Sequence, residues 1–337
     1  MTSAAAGSAR SARRAKENQS ATPDEWDAEA ARQAAAGMTY FKLYTDLTAG
    51  EVALGVKAAR SHGLIPIAHL NAVSWSRALA LGVEQFAHAL PTSPDLLEPA
   101  ARKRFVVGPD LMTLWWELAE LDGPLISDLV ASLAEARAKV DLTLVVNEMV
   151  YFGDEWESRL PELAGPADYF HPAQLEALEA AYAAFRGAPA PQLVRGKAVW
   201  PKVLAFARML HDAGVDLMIG TDGAGGVGLR HELENHVEAG IPEWEVLRMA
   251  TSGNADLIGL GDTGRIAPGF EADIVFLHSD PIADVGNVQD VAFVLTNGKL
   301  HRHEDLLDVA REIAFAAKSG VGDGPSAGPA TPEPRKE

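Results

Sequence analysis

The stretch SHGLIPIAHLNAVSWSRALALGVEQFAHAL, residues 61–90, decides how this chain is read. Its two apolar runs, Leu64–Leu70 and Val83–Ala89, are short enough for strands, and each carries a histidine near its end, His69 and His88. Between them Ser74–Leu81 reads as a helix that Gly82 closes. Strand, helix and strand in so short a span form a βα repeat, whose parallel strands bring their C-terminal ends to one side. The rhythm continues outward. Thr39–Tyr44, Leu142–Val150 and Asp216–Thr221 read as three more strands, and Ala49–Ser61, Ile126–Ala138 and Pro201–Ala213 as helices. A first helix, Pro23–Ala36, follows the cap residue Thr22 and stops at Gly37. The fold class is therefore α/β, a parallel sheet or barrel with about five readable strands.

Composition excludes several functions. The chain has 337 residues, of which 47% are hydrophobic and 23% charged, enough for a sizeable globular core. A net charge of -18 argues against nucleic acid or an anionic membrane surface as partner. With no cysteine, disulfides and thiol catalysis are excluded, and a metal has to be held by His, carboxylate or a modified lysine. No apolar run reaches the roughly 18 residues of a membrane span. Residues 1–22 lack the apolar core of a secretory signal and read as a disordered leader, with the cytoplasm as default location. Residues 23–260 hold the barrel segments, with a helical insertion at about 153–199. From 261 to 303 the pattern becomes a small β unit, with strands Gly264–Ile266, Asp273–Leu277 and Val291–Leu295 and an Asn297-Gly298 hairpin turn. Residues 304–318 form an amphipathic helix with Leu306, Leu307, Val309, Ile313 and Phe315 on one packed face, and 319–337, rich in Gly and Pro, read as a disordered tail.

Ionisable residues recur at or near the strand ends: Lys42 in FKLY, His69 in IPIAHL, His88 in EQFAHA and Asp222 directly after LMIGTD. Singly, each has an ordinary role, as a core histidine, a helix cap or a snorkelling lysine. Together, on the side where a parallel barrel collects its catalytic groups, they suit a divalent cation bound by nitrogen and oxygen. Two other histidine pairs fit less well. His231 and His236 of HELENH are five apart, about 140° around a helix, and that helix reads as solvated. His301 and His303 sit at the edge of the β unit, beyond the hairpin.

Four stretches resemble the amidohydrolase superfamily, in its imidazolonepropionase-like and Xaa-Pro-dipeptidase-like branch. AAAGMTYFKLY resembles the strand ending in a lysine that becomes carboxylated, and the two histidine-bearing runs resemble the next two strands. VDLMIGTDGAGGVGLRHELENHVEAGI resembles the strand whose aspartate binds metal and acts as general base. TSGNADLIGLGDTGRIAPGFEADIVFLHSDPIADV resembles the exit into a small β domain. The resemblance implies an incomplete TIM-type barrel, about five of eight strands, with Lys42, His69, His88 and Asp222 as metal ligands and Asp222 as general base. It further implies one or two divalent ions, zinc in the first instance, and hydrolysis of a C–N bond in a cyclic amide, dipeptide or related small molecule. No His precedes His62, so the family's His-x-His strand is not found, and the expectation is a fragment of a longer reading frame. The rival readings are a catalytically impaired or non-enzymatic remnant, paired with another copy, and a metal-dependent esterase or lactonase.

Overall fold

The computed structural model describes residues 22–318 except 109, 156–158, 160–168, 174, 177–179, 181–182, 184–185 and 223–227. Five strands, β1 (Tyr40–Thr45), β2 (Ile65–Leu70), β3 (Gln85–Ala87), β4 (Lys139–Asp141) and β5 (Asp216–Met218), line up in chain order in one sheet. Every neighbouring pair is parallel. A sheet whose order never reverses is the wall of a (βα) barrel rather than a doubly wound sheet. Among the described residues β1 pairs only with β2 and β5 only with β4, so this wall is open.

Alternation along each strand sorts the residues between two faces. Phe41, Leu43, Ala68, Leu70, Phe86 and Val140 are fully buried on the outer face, where the helices pack. Trp75 stacks 5.0 Å from Phe86 and Trp116 lies 5.7 Å from Phe206, filling the layer between sheet and helices. The alternate residues, among them Tyr40, Lys42, Ile67, Gln85 and Asp141, line a cavity of about 670 Å³ on the inner face. The helices begin where sequence chemistry directs. Thr22 with Glu25 and Thr48 with Glu51 make capping boxes, and Ser74 accepts from the Arg77 N–H.

Several expectations need correction. Leu142–Val150 is not a strand: β4 ends at Asp141, and Leu144–Tyr151 is a helix. Its valines suit a strand, but buried Leu144, Val145, Asn147, Glu148 and Tyr151 meet neighbouring helices, so tertiary packing overrides propensity. The helix expected from Pro201 runs from Ala190 to Asp212, straight through that proline, because both halves bury apolar residues. Of the insertion expected at 153–199, the middle lies mostly outside the described residues, as do the leader up to residue 21 and the tail from 319.

The C-terminal part is a three-stranded antiparallel sheet of β6 (Ile274–Leu277), β7 (Val291–Thr296) and β8 (Lys299–Arg302). Asn297 and Gly298, with φ of 49° and 71°, make the tight turn between β7 and β8. Gly264–Ile266, expected as a strand, is irregular, and Ile266 is exposed. A helix follows at His303–Lys318, but its apolar face is not packed. Leu306, Val309, Ile313 and Phe315 are exposed and only Ala314 is buried, because the sheet it touches is itself small and open.

Candidate active site

His69 lies near the end of β2, His88 and Asp222 lie just beyond β3 and β5, and Lys42 sits mid-strand in β1. Tyr44 lies opposite His69 in the β1–β2 register, and their rings meet edge to face at 4.9 Å. The His69 and His88 rings are 4.5 Å apart. His88 Nε2 stands 3.6 Å from Asp222 Oδ2. Lys42 lines the same cavity as His88 and Asp222, with its amine 5.6 Å from the Tyr44 ring centroid.

Local backbone explains the placement. His88, Thr143 and Asp222 all have positive φ, at 69°, 41° and 45°, which turns each chain sharply as it leaves its strand. The pairing of β3 with β4 persists through this turn, because the His88 and Ala89 N–H groups donate to Asp141 and Leu142 carbonyls at 2.6 and 2.7 Å. Three residues before Asp222, Asn254 brackets the Ile219 backbone, accepting from its N–H at 3.1 Å and donating to its carbonyl at 2.8 Å.

Electrostatics keep the imidazoles neutral. Burial is the main cause for both: His69 is lowered to about 3, with help from His88 and Lys42, and His88 to about 3, with help from Lys42. Asp141 moves the other way, raised to about 7 by burial and then by the Asp222 charge. Its Oδ1 has no protein partner, and neither does His69 Nδ1. The His88 imidazole, two carboxylates and an amine around one cavity, with the His69 ring against His88, are donors of the type that hold a divalent cation. The His, Asp and Glu side chains among the described residues nonetheless form no preset group of three around a single point.

Sequence reasoning missed Asp141 and Thr143, because the strand was set too late in the chain; the Asp141 that closes KVD, with Thr143 two residues on, was the available signal. Helix Leu229–Glu238, read as solvated, is the opposite: His231, Glu232, Asn235 and His236 are all buried. Glu148 accepts from Asn235 Nδ2 at 2.9 Å and from Arg159 at 2.7 Å, and His231 lies 3.3 Å from it. These polar groups face one another within the fold rather than water. His301 lies on β8 and His303 begins the last helix, away from the cavity lining.

Comparison with known proteins places this geometry in context. Residues 189–301 match the model of the amidohydrolase family. The 5-methylthioadenosine/S-adenosylhomocysteine deaminase of Pelotomaculum thermopropionicum (strain DSM 13744 / JCM 10971 / SI) is 27% identical over 165 residues, 42% of this chain and 37% of that protein. Its namesake from Desulfitobacterium hafniense (strain Y51) is 32% identical over 102 residues, 25% of this chain and 23% of that one. The matched region thus spans well under half of these curated relatives. Among solved structures, a bottromycin amidohydrolase superposes with a TM-score of 0.63 at 22% identity, over 88% of this chain and 63% of that chain. A Xaa-Pro dipeptidase with methionine bound in its active site gives 0.55 at 19% identity, over 84% and 59%. At these identities the likeness is one of fold.

Proposed function

We propose that the chain is an amidohydrolase-superfamily enzyme that hydrolyses a C–N bond of a small molecule at the cavity lined from β1 to β5. The observation that supports the reading best is the pairing of two imidazoles, both held neutral by burial, with the Asp222 carboxylate 3.6 Å from one of them. Imidazoles held neutral at physiological pH keep their lone pairs for a cation instead of a proton.

His69, His88, Asp222 and Lys42 are the residues that would hold a divalent cation, zinc in the first instance. Such a cation, when bound, supplies a water of lowered pKa and polarises the scissile group. Lys42 joins as an anionic oxygen donor once its amine has combined with carbon dioxide to a carbamate. Asp222, exposed to the cavity beyond its strand, takes the proton from the attacking water and hands it to the departing nitrogen. The leaving group is an amine or ammonia, so both amide cleavage and deamination fall within this chemistry. The curated relatives are named as deaminases, which makes an exocyclic amine a substrate to test beside dipeptides and lactams.

Because the described donors form no preset group of three, metal binding is expected to be weak in this chain by itself. The test is elemental analysis after dialysis against zinc, with release of amine or ammonia assayed on dipeptides, lactams and aminopurine nucleosides. Support is turnover that a chelator abolishes and that D222N and H88Q lose by a factor of about a hundred or more. A chain that retains no divalent ion under saturating zinc, or turnover indifferent to the chelator and to both substitutions, overturns the reading.

A further inference from the structure

We propose that Glu232, which lies outside the cavity lining, is a positioning residue that sets the ring of His88 through Thr143. The inference rests on His88 belonging to the proposed site, but its test reads the His88 ring itself.

The argument starts at the N-terminus of helix Leu144–Tyr151. A threonine in front of a helix ordinarily adopts extended backbone and turns its hydroxyl onto the second or third N–H of the helix. Thr22 and Thr48 in this chain do so. Thr143 does not: its φ is 41°, a left-handed conformation unfavourable for a β-branched residue, and its side chain makes no cap bond. The capping duty passes instead to Glu232, distant in sequence, whose Oε2 accepts from the Val145 N–H at 2.8 Å. The Leu144 N–H is directed at the same carboxyl. Relieved of the cap, the Thr143 hydroxyl lies 2.7 Å from His88 Nδ1.

That contact has geometric consequences. His88 and Thr143 both have positive φ, so neither side chain's direction follows from its strand. With Nδ1 fixed by Thr143, the ring plane is set and Nε2 is turned toward Asp222. Partners of this kind on the far nitrogen of a ligating histidine are typically worth 10–100-fold in metal affinity. Glu232 is one step further back, fully buried, with its helix fixed by polar contacts to the helix that Thr143 precedes. His236, on the same helix, donates from Nδ1 to the Glu232 backbone carbonyl at 2.8 Å, which fixes the helix turn from which the carboxyl projects.

The experiment uses the full chain without metal and records the ring-nitrogen NMR signals of the histidines, with His88 assigned by their loss in H88Q. Three variants are compared: E232M, which fills the same volume without an acceptor; E232Q, which keeps an acceptor; and T143A, which removes the hydroxyl. The proposal expects E232M and T143A to move the His88 signals in the same sense, from a single-tautomer pattern toward an average. It expects E232Q to stay near wild type and the double variant E232M/T143A to move them no further than T143A alone. Zinc titration should then show about tenfold weaker binding for E232M and T143A. Folded E232M with His88 signals and zinc affinity at wild-type values makes Glu232 a helix cap only and overturns the proposal. Should E232M fail to fold, E232D decides by the same criterion, since its carboxylate is withdrawn from the Val145 N–H by one methylene.

Discussion

Gly220 and Asp141 show how little room the inner face leaves between neighbouring strands. A methyl group added at Gly220 would fall 2.4 Å from Asp141 Oδ2 and 2.6 Å from its other oxygen, against a carboxyl whose Oδ1 is buried. G220A is therefore expected to destabilise by about 1–3 kcal/mol through overpacking. It should also weaken zinc binding, because Asp141 shares the cavity with Asp222 and Lys42. Thermal denaturation and zinc titration check both. The buried titratable groups also set a pH dependence. His69 and His88 fall from 6.5 to about 3, and His236 from 6.5 to about 4, all three chiefly by burial. Between those values the unfolded chain binds more protons than the folded one, so their stabilisation is fully present above 6.5 and is lost as pH falls toward 3. Asp141, raised from 3.8 to about 7, and Glu232, also raised by burial, oppose them and lose their contribution as pH rises. Three imidazoles stand against these two acids. The metal-free chain is expected to have a lower urea midpoint near pH 4.5 than near pH 7, and H69N/H88N is expected to reduce that difference.

At the scale of the element, the exit from β5 depends on a helix whose first residue lies 35 positions beyond Ile219. Asn254, at the start of helix Asn254–Ile258, satisfies both backbone groups of Ile219. N254A leaves that N–H and C=O unpaired in a half-buried place, at a cost of about 1–3 kcal/mol. The expected outcome is a modest fall in melting temperature and a larger fall in zinc affinity, since Asp222 lies three residues beyond the bracket. Equal falls for N254A and for T48A, a cap deletion on helix Ala49–Ser61, would show that Asn254 acts on global stability alone. The elements also differ in how openly they declare themselves. Helices with their own capping boxes, such as Pro23–Ala35 and Ala49–Ser61, were legible to within a residue. Helix Leu144–Tyr151 was not, because Glu232 supplies its cap from far along the chain and its valines fit a strand equally well.

For the whole molecule the open wall matters most. Among the described residues β1 and β5 each have one sheet neighbour, and Ile266, Val275, Leu300 and Phe315 are exposed on the C-terminal part. Unpaired strand edges and apolar surface of this kind favour association. Light scattering on a dilution series should show molecular mass rising with concentration, and a strictly monomeric chain at high concentration would refute this. No described helix is long and apolar enough to cross a membrane.

What the sequence by itself determined is what depends on neighbours in the chain: the βα rhythm, most strand positions and the Asn297-Gly298 turn. Residues at the ends of successive parallel strands come to one side whatever the details of packing. Only the tertiary structure decided the rest. The burial of Glu232 and His236, the left-handed Thr143 and the place of Asp141 beside Asp222 arise from contacts between segments far apart in sequence. A buried carboxylate is stable only where distant N–H groups meet it, and no local pattern records where those groups will be.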